Sequence, residues 1–177
     1  MTCIVGLIHD GKVYIGGDSA GVADYSLTIR ADPKVFRNGE FIFGFTSSFR
    51  MGQLLAHALR PPRRNPADDI YAFMVTDFIN AVRDCLKAGG FNTRVSEADV
   101  GGDFLVGYAG RLFYVGQDYQ VGESQDGLLA VGCGDQIALG ALMATPDMPP
   151  EKRINNALTI AERLSAGVRG PFKIEVL

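Results

Sequence analysis

The chain has no tryptophan, two histidines and three cysteines in 177 residues. Each scarcity removes a class of function. Cys3, Cys85 and Cys133 are odd in number and show no Cys-x-x-Cys spacing, so neither a disulfide framework nor a structural zinc site is expected. That fits a reducing, cytoplasmic compartment. His9 lies beside an Asp-Gly turn and His57 in a helical stretch. Neither belongs to a serine–histidine–aspartate or metal-ligand spacing, and both are expected in structural or surface roles. No Walker or Gly-x-Gly-x-x-Gly loop occurs, and the glycine-rich "GGDFLVG" leads into a strand rather than a phosphate cradle. The net charge of −3 is not the basic excess that a nucleic-acid partner demands. The one basic cluster, Arg60, Arg63 and Arg64 around Pro61-Pro62, reads as a solvated loop. No apolar run reaches membrane-spanning length. The start lacks the basic segment and cleavage site of a signal peptide.

What is there is a globular composition, 47% hydrophobic, enough to bury a core in one domain spanning 1–177. "IVGLI" (4–8), the turn Asp10-Gly11 and Lys12–Ile15 read as a hairpin, because Asp-Gly accepts the positive φ of a tight turn. The pattern recurs around Asn38-Gly39 and Ala109-Gly110. Strands are also expected over 127–132 and in the closing "FKIEVL". Helices are expected from a Ser47 or Ser48 cap to Leu59, from Pro66 in a first turn through Ala67 to Lys87, over Asp135–Ala144 and over Pro150–Leu164. In the second, Ile70, Phe73, Met74, Phe78, Ile79, Val82 and Leu86 form one apolar stripe, and Gly89-Gly90 ends it. The polar "NTRVSEADVGGD" reads as a surface loop. Strand hairpins alternating with helix pairs predict an α+β fold, two antiparallel sheets face to face with a helix pair outside each.

The chemistry centres on Thr2. An initiator Met is generally removed before a small residue, which leaves Thr2 with a free α-amino group. That amine titrates near 7.7–8.0 when unperturbed, so it can take the proton of the adjacent hydroxyl at neutral pH. Taken alone, Thr2 merely begins a strand. The first hairpin, however, returns Asp18 to the chain end. Lys34, after Asp32-Pro33, can pair with Asp18 and place positive charge near the hydroxyl. Without Thr2, Asp18 and Lys34 would make an ordinary structural ion pair. Strand alternation points Cys3 to the face opposite Thr2, which argues against Cys3 as the nucleophile.

These residues resemble the proteasome β-subunits, and most closely the HslV-type peptidase subunit of bacterial ATP-dependent proteases. "MTCIVGLIHDGKVYIGGDS" resembles the opening hairpin of that family of N-terminal-nucleophile hydrolases. "DPKVFRNGEFIFGFTSS" is similar to its lysine strand and glycine-rich turn. "LLAVGCGDQIALGALMA" resembles its strand–GSG–helix segment, and "ALTIAERLSAGVRGPFKIEVL" its closing helix and strand. The resemblance implies a four-layer αββα sandwich and homo-oligomeric stacked rings. It implies hydrolysis of peptides or unfolded proteins, with an AAA+ unfoldase as partner and neither nucleic acid nor membrane. It assigns Thr2 as nucleophile, Asp18 and Lys34 as its support, the N–H near Ser47 as oxyanion donor and Cys133 at the helper-serine position. No cofactor is implied beyond a sodium ion held by the backbone carbonyls of Glu162, Ser165 and Val168. Thr46, Ser47 and Ser48 stand where the family usually has glycines, Cys133 replaces a serine, and no aspartate follows the final helix. Those departures keep open an inactive ring-forming scaffold of the same fold. An N-terminal-nucleophile amidase acting on a small metabolite also stays open.

Overall fold

The structure, a computed structural model, describes residues 1–91, 93–95 and 98–177, and for 93–95, 98 and 99 the backbone alone. In chain order, β1 (Cys3–His9) and β2 (Lys12–Gly17) precede a short ribbon, β3 (Ala20–Ala23) with β4 (Ser26–Ile29). A second hairpin, β5 (Val35–Asn38) with β6 (Phe41–Phe45), leads into α1 (Phe49–His57). A long helix follows in three parts: α2 (Ile70–Phe73), a π-helical turn over Met74–Phe78, and α3 (Ile79–Ala88). Then come β7 (Thr93–Val95), β8 (Ala98–Val100), β9 (Phe104–Tyr108), β10 (Arg111–Val115), β11 (Val121–Glu123) and β12 (Leu128–Gly132). Helices α4 (Asp135–Met143) and α5 (Pro150–Leu164) and strand β13 (Lys173–Val176) close the chain.

The strands form two larger antiparallel sheets, ordered β12-β1-β2-β13 and β11-β10-β9-β6-β5. Side-chain alternation in β1 shows how they stack. Cys3, Val5 and Leu7 pack under α4 and α5 with Leu142, Ile154 and Leu158. Ile4, on the other face, meets Val35, Ile42 and Leu105 between the sheets. The far face of the second sheet, led by Phe43, Phe104 and Phe113, is covered by α1 and the α2–α3 helix through Leu55, Phe78 and Val82. The result is the expected αββα sandwich. Each fully buried side chain of this size contributes about 1.5–3 kcal/mol.

Three expectations need correction. The second helix begins at Ile70, not near Pro66, because Asp69 caps it by accepting the Ala72 N–H at 2.8 Å. Its π-helical turn has no signature in a period-3.6 stripe. There the Thr76 hydroxyl donates to the Ala72 carbonyl at 2.7 Å. The stretch "NTRVSEADVGGD" contains the β7–β8 pair, although Asn92, Ser96 and Glu97 lie outside the described residues. The basic loop is not wholly solvated either. Arg64 is half-buried and donates to the carbonyls of Asn65, Pro66 and Asp68, which ties the loop to itself. Strands β3, β4 and β11 were not expected at all. Among the described residues no helix is long and apolar enough to cross a membrane.

Candidate active site

Two hairpin strands bring the chain start and Asp18 together. In the β1–β2 register Ile4 faces Gly17, and the Asp18 N–H carries the ladder one step further by donating to the Cys3 carbonyl at 3.2 Å. Cys3 is fully buried under the helices, where burial and then Asp18 push its thiol up to about 12. A thiol held protonated on that face is no nucleophile. Thr2, one residue before it, is 4% exposed.

Asp18 is the hub. Its Oδ1 accepts from the Cys3 N–H at 3.0 Å and from Lys34 Nζ at 2.8 Å. Its Oδ2 accepts from the N–H of Ala20 at 2.9 Å and of Arg169 at 3.2 Å. Strand β1, the start of β3, the turn after α5 and the residue before β5 thus converge on one carboxylate. Lys34 is buried with it and also lies 5.7 Å from the centre of the Phe49 ring. Burial lowers the Lys34 ammonium from its ordinary 10.5, against the opposing pull of Asp18.

Met1 is still attached, so the nitrogen of Thr2 is an amide here. It donates to Cys133 Sγ at 3.3 Å, and the Thr2 hydroxyl donates to the Met1 carbonyl. Cys133 Sγ donates in turn to the Thr2 carbonyl at 3.4 Å and accepts from Ser165 Oγ at 3.4 Å. The strand–turn that presents Cys133 depends on Gly132, whose φ is +105°. A Cβ there would stand 2.3 Å from the Thr2 carbonyl oxygen and 3.4 Å from Thr46 Oγ1. Met1 itself is 57% exposed, and a Cβ added at Gly167 would stand 2.5 Å from the Met1 Cβ and 2.6 Å from Cys133 Sγ.

Thr46 brings the oxyanion candidate to the same place. Ser47 follows it with φ +65°, in the left-handed region that favours glycine. Its hydroxyl accepts the Asp103 N–H at 3.1 Å, which holds the turn. The Ser47 N–H has no acceptor among the described residues. Ser48 caps α1 by accepting from the Arg50 N–H at 3.1 Å.

Thr2, Asp18, Lys34, Ser47 and Cys133 are therefore drawn to one region. Glu162, Ser165 and Val168 lie at and after the end of α5. There the Ser165 carbonyl accepts the Val168 N–H at 3.2 Å, and the Glu162 side chain takes the Gly170 N–H at 3.0 Å. Among the described residues no three carboxylate, thiol or imidazole side chains stand together as metal ligands. His9 and His57 stay out of the site, His9 half-exposed against Asp10 and His57 exposed at the end of α1. The sequence alone did not single out Arg169, Gly132 or Gly167. Arg169 acts through its N–H, which any residue but proline supplies. The glycines of "VGCG" and "AGVRG" were the available signal for the other close approaches.

No protein-family model matches the chain, and no curated protein sequence matches it. Solved structures do. Thiobacillus denitrificans BPH in complex with epoxomicin superposes with a TM-score of 0.80 at 20% identity, covering 99% of this chain and 98% of that one. Eukaryotic HslV from Trypanosoma brucei gives 0.71 at 19%, covering 99% of each. The Anbu (Gly-1) mutant from Hyphomicrobium sp. strain MC1 gives 0.70 at 17%, covering 98% of this chain and 80% of that one. At such identities the likeness speaks for the fold: this chain has the proteasome-like fold of the N-terminal-nucleophile hydrolases.

Proposed function

We propose that this chain is a threonine-type peptidase subunit of a self-compartmentalising, proteasome-like protease, with Thr2 as nucleophile once Met1 is removed. The observation that carries the reading is the buried Asp18–Lys34 pair tied to the backbone next to Thr2. Loss of Met1 turns the Thr2 amide nitrogen into an amine. That amine takes the hydroxyl proton, directly or through water, as Oγ1 attacks the scissile carbonyl. The Ser47 N–H, which has no acceptor among the described residues, stabilises the oxyanion. The Lys34 ammonium, fixed by Asp18, favours the charged states of the reaction. Collapse expels the leaving amine, which takes its proton from the Thr2 ammonium and leaves an ester on Oγ1. Water then hydrolyses that ester, with the Thr2 amine again as base. Cys133 orients the amine, and Ser165 orients Cys133.

The proteasome-like fold supports a homo-oligomer of stacked rings; entry of unfolded protein and an AAA+ unfoldase as partner belong to the proposal through the family resemblance alone. By the family resemblance a sodium ion would be held by the backbone carbonyls of Glu162, Ser165 and Val168, and the Ser165 carbonyl keeps one lone pair beside the bond it accepts from the Val168 N–H. Such an ion would stiffen the segment that carries Ser165.

Two observations favour an inactive scaffold instead. Ser47 places a side chain in a left-handed turn, and a thiol, a weaker hydrogen-bonder than a hydroxyl, faces the amine. Intact-mass analysis combined with a peptide epoxyketone separates the readings, because the probe needs both the Thr2 hydroxyl and a free amine. The peptidase reading expects loss of Met1 and one adduct per chain, absent in Thr2→Ala. A correctly processed ring without an adduct is the scaffold. A processed monomer or dimer that takes the probe is an amidase without a chamber.

A further inference from the structure

Among the described residues strand β12 is an edge strand, paired only to β1. The Ile8 N–H donates to the Gly127 carbonyl at 3.0 Å. Antiparallel alternation then turns Leu129 and Val131 toward β1 and leaves the N–H and C=O of Leu128, Ala130 and Gly132 facing outward. None of these three N–H groups has an acceptor among the described residues. The open edge lines a cleft of about 330 Å3, within the range of ligand-binding clefts. The edge ends at Gly132, one residue before Cys133 at the Thr2 nitrogen.

The rest of the cleft is acidic. Asp103 and Asp135 line it together with Tyr114. Asp103 accepts from Tyr114 Oη at 2.8 Å and Gln117 Nε2 at 2.9 Å, both neutral donors. Among the described residues Asp135 accepts only the N–H of Gln136, at 2.6 Å. Among the described residues no lysine or arginine pairs with either carboxylate. Two uncompensated negative charges therefore flank an unpaired strand edge that runs toward the nucleophile.

We infer that one flank of the substrate lies as an added strand on the β12 edge, and that Asp103 and Asp135 select lysine or arginine in that flank. The mode is β-augmentation: backbone hydrogen bonds hold any extended peptide, and the carboxylates choose among them. The inference rests on the peptidase reading and adds a substrate class to it.

The test is fluorescence anisotropy on the Thr2→Ala protein, which binds without cleaving. Two labelled extended peptides differ only in carrying lysine or glutamate. The lysine peptide is expected to bind tighter, by about fivefold for each carboxylate, with the gap closing in high salt. Asp103→Asn and Asp135→Asn should each narrow it. Ala130→Pro removes one outward N–H and no bond to β1, as proline at a sheet edge allows. It should weaken both peptides with the melting temperature unchanged. Equal affinities for the two peptides overturn the proposal. So does an Ala130→Pro protein that binds peptide normally while its oligomeric mass changes, because the edge then belongs to a second copy. Lysine-selective binding in a chain whose processed form hydrolyses no peptide supports the track and sinks the peptidase. Hydrolysis with charge-blind binding does the reverse.

Discussion

Lys34 Nζ stands 2.8 Å from Asp18 Oδ1 with the two side chains 1% and 0% exposed. Removing two charges from water is costly, and a buried pair holds only when further hydrogen bonds satisfy it. Here the N–H groups of Cys3, Ala20 and Arg169 complete the carboxylate. The pair thus fixes the first residues of β1 against the turn that follows α5, and it sets the charge beside Thr2.

Lys34→Ala should cost both stability and activity. It strands a buried carboxylate, but three N–H donors remain, so the loss belongs near the low end of the range for a broken buried pair, about 3 kcal/mol. For a chain of this size that lowers Tm by roughly 10 °C. Peptidase activity should fall by at least about 100-fold. Calorimetry and a fluorogenic peptide assay measure the two effects. A variant that is destabilised yet fully active removes Lys34 from the mechanism and leaves it a structural partner of Asp18.

The same lysine sets the alkaline limb of the pH profile. Burial lowers its folded pKa below 10.5. Activity should rise as the Thr2 amine deprotonates, near 7.7–8.0 if unperturbed, and fall again below 10.5 as Lys34 loses its proton. Stability moves the other way. Between the folded value and 10.5 the unfolded chain binds more protons at this group, so its contribution to stability rises with pH. Comparing kcat/KM and denaturant midpoints for wild type and Lys34→Met across that window isolates the effect. A limb that begins only above 10.5 would contradict the lowered pKa.

Cys133 offers a gain-of-function test. Cys133→Ser restores a stronger hydrogen-bonding group at 3.3 Å from the Thr2 nitrogen and should raise kcat severalfold. Cys133→Ala should lower it. Because the thiol is exposed, alkylation with N-ethylmaleimide should block wild type and spare the serine variant. Identical kcat for the three side chains shows that the amine is oriented by other groups.

The hairpins, the helix pairs and the face of Cys3 were legible because alternation and Asp-Gly chemistry are local. So was the meeting of Thr2 with Asp18, since a two-residue turn fixes the register of everything before and after it. The Asp69 cap and the π-helical turn were not, because four near-consecutive polar or small residues allow several helix starts. Ribbon β3–β4 was hidden for a related reason: all of β4 is exposed, so no buried face imposes a pattern. At the site, side-chain chemistry could be read at Thr2, Asp18 and Lys34. The Arg169 N–H leaves no trace in residue identity, and the Ser47 N–H was reached only through the family resemblance.

Gly132→Ala should disable the site more than it destabilises the fold. Its φ of +105° is strained for any side chain, and the new Cβ would meet the carbonyl oxygen of Thr2 at 2.3 Å. That neighbour is backbone and cannot rotate away, so Thr2 or the turn carrying Cys133 must move. Strain of this kind costs about 1–3 kcal/mol, whereas a displacement of the nucleophile by about 1 Å costs roughly 100-fold in rate. The expected result is a folded protein with a modestly lower Tm and a kcat reduced by about 100-fold. Gly122→Ala is the control, since a Cβ at Gly122 meets nothing within 4 Å. It should match wild type in both measurements. If Gly132→Ala retains full kcat, the turn tolerates the shift and the close approach of Gly132 to Thr2 does not position the nucleophile.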